Sequence, residues 1–111
     1  MKYKAIIKRP DEQYGHVCHI SASLENLQKT VGGYIETVAA VPGVVIICNE
    51  EGKLLSLEPN IPYYHDVLCG TIIVLGIKGE EFTDCPMSFR QWKLFLEMQE
   101  QIKEGGKIWR E

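Results

Sequence analysis

The chain has 111 residues, of which 45% are hydrophobic and 24% charged, and a formal net charge of -3. Those totals describe one globular domain, residues 1–111, long enough to bury a single core without staples. The acidic balance argues against a general nucleic-acid binder, which needs excess Lys and Arg to neutralise phosphates, and no stretch approaches the ~20 apolar residues of a bilayer span.

Residues 2–8 predict a strand, with Tyr3, Ala5 and Ile7 alternating with lysines and Ile6 breaking the pattern. Pro10-Asp11-Glu12-Gln13 is a polar turn, and residues 16–20 form a second short strand, paired to the first as a hairpin. A helix follows over about 23–31. Ser21 or Ser23 caps it, Glu25 suits the positive end of its dipole, and Leu24, Leu27 and Val31 make one narrow apolar face. Gly32-Gly33 stops it, because glycine reaches the left-handed cap conformation without steric cost.

Residues 34–40 are extended, and Pro42-Gly43 ends them. Val44-Val45-Ile46-Ile47-Cys48 is continuously apolar and β-branched, the pattern of a central strand covered on both faces. Asn49-Glu50-Glu51-Gly52 reads as a tight turn, with Lys53-Leu54-Leu55-Ser56-Leu57 returning as partner strand. From Glu58 to Leu68 the two prolines, Pro59 and Pro62, predict a loop. Thr71 to Gly76 is a second central strand, and Lys78-Gly79-Glu80-Glu81 a turn. The last element is a helix over 87–103, capped by Asp84, Cys85 or Ser88, with residues 104–111 as a tail. The expected fold is α+β and two-layer: a largely antiparallel or mixed sheet of about six strands, with two helices on one face.

Four cysteines, Cys18, Cys48, Cys69 and Cys85, include no C-x-x-C pair. With no local zinc or dithiol signal, and too short an apolar run after Met1-Lys2-Tyr3-Lys4 for a signal peptide, the reading is a cytoplasmic protein with free thiols. His16 and Cys18 share one face of their strand beside His19, which is half a metal site. The remaining ligands would come from His65, Cys85 or a distant carboxylate, so no metal and no cofactor is expected. Cys69 with His65 is the candidate nucleophile and base, against the plainer reading of Cys69 as the end of a buried strand. Glu50-Glu51 and Glu80-Glu81 read as solvated turns. Gly32-Gly33 ends a helix, so its dipole has the wrong sign for a phosphate.

Two surfaces stand out for recognition. The loop 59–66 carries Asn60, Tyr63, Tyr64, His65 and Asp66, rigid aromatic area with polar ends, or else it folds back onto the core. The final helix carries an apolar arc wider than a half-turn, with Trp92, Phe95, Met98 and also Trp109 beyond it. The excess would bury a partner or a second copy, or else it is all core.

Three blocks carry a resemblance: Leu24 to Glu36 (LENLQKTVGGYIE), Ile47 to Leu55 (ICNEEGKLL) followed by Pro59-Asn60, and Gly70 to Val74 (GTIIV) with Phe82-Thr83-Asp84 downstream. Together they resemble a family of short bacterial and phage proteins known only as a domain of unknown function. The resemblance covers roughly residues 20–84. The chain departs from it in a shortened loop at 61–66 and in the Trp-rich helix after Asp84. The resemblance implies a fold and a setting on phages or other mobile elements, but no substrate and no catalytic residue. The expectation is a small non-enzymatic binding module for an unknown protein or small molecule, such as an accessory or counter-defence protein. The alternatives are a small Cys-His hydrolase or transferase and a structural homo-oligomer.

Overall fold

The computed structural model describes residues 1–103. Its main sheet contains β1 (Tyr3–Lys8), β2 (His16–Ile20), β3 (Ile35–Val41), β4 (Val44–Asn49), β7 (Ile72–Lys78) and β8 (Glu81–Thr83). The order is β2-β1-β7-β4-β3, with β8 pairing β7 beyond the end of β1. Every pairing is antiparallel. A small second sheet pairs β5 (Pro59–Tyr63) with β6 (Asp66–Cys69). The helices are α1 (Leu24–Val31) and α2 (Phe89–Lys103). The α+β class, the six-stranded sheet and the two helices stand as the residue pattern predicts.

The central strands follow from their composition. β4 is buried along its whole length, and Ile72 to Gly76 of β7 are buried beside it. Alternation sends their side chains to opposite faces. Ile46, Ile72 and Val74 join one core cluster with Trp92, Phe95 and Leu96 of α2. Ile47, Ile73 and Leu75 join another with Leu27 and Val31 of α1. The helices therefore take opposite faces instead of sharing one, and the expected second layer becomes a layer on each side.

α1 begins and ends where its capping residues place it. The Asn26 amide donates to Ser23 Oγ at 3.2 Å, and Gly32, at φ 82°, donates to the Gln28 carbonyl at 2.8 Å. Leu27 and Val31 are buried, whereas Leu24 faces solvent and adds nothing to the core. In α2 the cap is Ser88, not Asp84 or Cys85. The Gln91 amide donates to Ser88 Oγ, and the Ser88 amide donates back to Gln91 Oε1, a reciprocal capping box.

Two expected segments differ. Lys53–Leu57 is not the partner strand of β4. It coils into successive turns, with Leu55 donating to Glu51, Ser56 to Lys53 and Leu57 to Gly52, and Leu54 is 83% exposed. The physical reason is that both edges of β4 are already taken, one by β3 through the Pro42-Gly43 turn and one by β7. Conversely, the loop expected over 58–68 is a hairpin. Each strand of a two-stranded ladder has one free edge, so Pro59 and Pro62 lose nothing where their missing N–H faces outward. The tail 104–111, with Trp109, lies outside the described residues.

Candidate functional site

α2 divides its apolar residues between core and surface. Trp92 is fully buried, and its indole N–H donates to the Tyr14 carbonyl at 2.8 Å. Phe95 is 5% exposed and stacks on Trp92 with ring centroids 5.5 Å apart. Of these two expected partner-surface residues, Trp92 is core, whereas Phe95 is buried against it yet still lines the adjoining groove. The wheel could not separate them from Leu94 and Met98, which are 52% and 59% exposed and supply the surplus. The surplus has a definite place. It flanks a groove of about 480 Å³ between α2 and the β3–β4 turn.

Val41 and Pro42 form one bank of this groove, and Gln91, Leu94, Met98 and Ile102 the other. Met87, Phe95, Ala40 and Val44 make the floor. From Gln91 to Ile102 the helical bank runs about 16 Å at ~1.5 Å per residue. Among the described residues, none that lines the groove carries a charge.

Tyr64 closes one end of the groove, together with Gln99. It sits in the two-residue turn between β5 and β6 at φ 55°, a left-handed conformation that costs a tyrosine energy. Two contacts hold it there. Its backbone N–H donates to Oε1 of the buried Gln99 of α2, and its ring meets Tyr63 edge-on at 4.8 Å. Tyr63 is itself anchored, its hydroxyl donating to the Ala39 carbonyl at 2.6 Å. One side chain of α2 therefore fixes the tip of the hairpin against the groove.

The structure splits the other residues expected in the 59–66 surface. Asn60 is structural: its amide donates to the carbonyls of Lys8 and Gly70, both at 2.7 Å, and its oxygen accepts from Lys8 Nζ at 2.6 Å. His65 and Asp66 are exposed at the tip. Asp66 pairs with Lys53, whose hydrogen bond holds the carboxyl below its usual range.

The Cys69–His65 pair is not brought together. His65 is at the tip of the hairpin and Cys69 at its base, opposite Pro59. Four strand steps at ~3.3 Å separate them by about 13 Å along the strand. Cys48 and Cys69 both line a separate cavity of about 280 Å³ with Glu36, Glu51 and Lys53. Burial pushes the Cys48 thiol up to about 11, which keeps it protonated and unreactive at neutral pH. On β2, His16 Nδ1 lies 3.0 Å from a Glu12 carboxylate oxygen. Among the described residues no three His, Cys, Asp or Glu side chains gather as a metal-binding group, and no helix is long and apolar enough to cross a membrane.

Comparison with known proteins adds family membership. The sequence matches the family described as Domain of unknown function (DUF3846) over residues 1–100. The match runs well past Asp84 and takes in most of α2, so that helix is part of the family's domain, not an addition peculiar to this chain. Neither curated proteins nor solved structures yield a match. With every residue that lines the groove except Ile102 inside the matched span, the chain belongs to the DUF3846 family of domains of unknown function.

Proposed function

We propose that this domain is a protein-binding module whose docking surface is the groove between α2 and the β3–β4 turn, and that its occupant is the apolar face of an amphipathic helix from another protein. The observation that carries the reading is the chemistry of the groove. It is a trench about three helical turns long, lined among the described residues by uncharged side chains and flanked by exposed Leu94 and Met98. A groove of that length matches the i, i+3, i+4, i+7 anchors of a helix better than it matches a small molecule. Met87 in the floor and Met98 on the bank add unbranched, polarizable side chains that adapt to a partner's shape. Among the described residues the lining holds no charge, which disfavours a phosphate-bearing or strongly ionic ligand.

Panning a displayed library of amphipathic helical peptides on the folded domain tests this reading. The expected result is enrichment of peptides with apolar residues at helical spacing, whose affinity falls at least tenfold on the Leu94→Asp, Met98→Asp double variant. Both positions are exposed, so the variant keeps its fold. Enrichment of peptides indifferent to the double variant overturns the reading. So does light scattering that finds a wild-type dimer which the double variant converts to monomer, because the groove's occupant is then a second copy.

A further inference from the structure

A third cavity, of about 290 Å³, lies on the same face as α2 and is bounded by β1, β5 and the middle of α2. At its base is Lys8, the last residue of β1, which points to the same side of the strand as core residue Ile6 and is 4% exposed. Burying an ammonium is costly unless it is fully hydrogen-bonded or paired with opposite charge. Lys8 has neither. Among the described residues its nitrogen finds one acceptor, the neutral amide oxygen of Asn60, and no carboxylate within ion-pairing distance. An ammonium has three N–H donors, so two remain for something else. Asn60 cannot turn away to relieve this, because its NH₂ is committed to the Lys8 and Gly70 carbonyls. The desolvation is large enough to lower the lysine's proton affinity, although Glu12 and Asp11 act in the opposite sense.

The rest of the cavity has a chemical order. Ile61, Pro62 and Leu96 provide an apolar wall, and Glu97 and Glu100, both exposed, lie at its outer side. The floor thus offers donors to an anionic oxygen, the wall offers apolar contact, and the mouth offers carboxylates. Two glutamates at the entrance repel a polyanion such as phosphate and attract a cation. A cavity near the lower end of the ~300–1,000 Å³ range of small-molecule sites suits a small ligand.

We propose that this cavity is a binding site for a small zwitterion of the ω-amino-acid type, its carboxylate received by Lys8, its methylene chain laid along Ile61, Pro62 and Leu96, and its ammonium met by Glu97 and Glu100. The site is separate from the α2 groove and holds whether or not that groove takes a helix.

Calorimetric titration of the folded chain with glycine, β-alanine, 4-aminobutyrate, 5-aminovalerate and 6-aminohexanoate tests the proposal. Butyrate, butylamine and inorganic phosphate serve as controls. The expected result is a clear optimum of chain length, with 4-aminobutyrate binding at least tenfold tighter than either butyrate or butylamine and phosphate binding no better than butyrate. Lys8→Met should abolish binding while the circular dichroism of the fold is retained. The surface variant Glu97→Gln, Glu100→Gln, whose folding is not at risk, should reduce the zwitterion's affinity to that of the plain acid. No binding across the series at 10 mM (about 2.7 kcal/mol of affinity, by the usual conversion) overturns the proposal. Equal binding of acid and zwitterion, tighter binding of phosphate, or an unchanged affinity in the glutamine variant does so too.

Discussion

Replacing Trp92 by phenylalanine separates the core of α2 from its surface. The substitution keeps an aromatic ring near Phe95 but removes the indole N–H that donates to the Tyr14 carbonyl at 2.8 Å. Leaving that carbonyl without its donor costs about 1–3 kcal/mol. The smaller ring leaves space at a fully buried position, adding about 1–2 kcal/mol. The expected loss is about 3 kcal/mol, a large fraction of the ~5–15 kcal/mol that holds a domain folded. For a chain of this size that is a fall in Tm of roughly 12–24 °C. Urea denaturation followed by far-ultraviolet circular dichroism reads it without relying on the tryptophan that was removed. Leu94→Asp, two residues along the helix but half exposed, should move stability by no more than about 0.5 kcal/mol. If Trp92→Phe unfolds within 0.5 kcal/mol of wild type, the anchoring of α2 through Tyr14 and Phe95 is refuted.

Asn60→Ala removes one acceptor and two donors that join β1, β5 and the residue after β6; equilibrium denaturation should register a loss of about 2–4 kcal/mol. Iodoacetamide at pH 8 should label native Cys48 roughly 100-fold more slowly than an ordinary thiol, since burial moves it from 9.0 to about 11 and thins the thiolate in proportion; peptide mapping that finds Cys48 labelled early contradicts this. The Glu12 carboxyl is held below 4.5, first by the Arg9 amide that donates to it and then by His16. A depressed carboxyl stabilises the fold above its unfolded value and loses that contribution as pH falls through its folded value. Glu12→Gln should therefore lower stability by under about 1 kcal/mol at pH 6 and by nothing near pH 2, measured as paired urea midpoints.

The elements legible in the residues are those specified locally. α1 is bounded by a serine cap and a glycine stop within its own ten residues, and both act as read. β4 and β7 declare themselves by unbroken β-branched runs, because a strand covered on both faces needs no alternation. What misled was non-local. Leu54, Leu55 and Leu57 look like a returning strand until β3 and β7 are seen to occupy both edges of β4. Pro59 and Pro62 look like a loop until their strand is found in a two-stranded ladder with free outer edges.

The site was half legible for the same reason. An apolar arc wider than one sheet requires pointed to α2, and the groove is there. Which of its residues reach solvent depends on the tilt of the helix over the sheet, and no helical wheel contains that angle. Tyr64 was in view as an aromatic in a proline-bounded segment, but its left-handed backbone and its bond to Gln99 come from a contact 35 residues away in sequence. Lys8 gave the least warning. As the last of a strand's alternating lysines it reads as a solvated residue, and only the packing of β5 and α2 above it buries it.

On the proposed function, the α2 groove receives an apolar helix. The most direct test is a titration of the isotopically labelled domain with a helical peptide selected by display, followed by amide chemical shifts. Perturbations should concentrate in Ala40–Val44, Tyr64 and the Gln91–Ile102 side of α2, with α1 and β2 unmoved. Shifts centred on α1 and β2, with Ala40–Val44 and Tyr64 unmoved, would contradict that function.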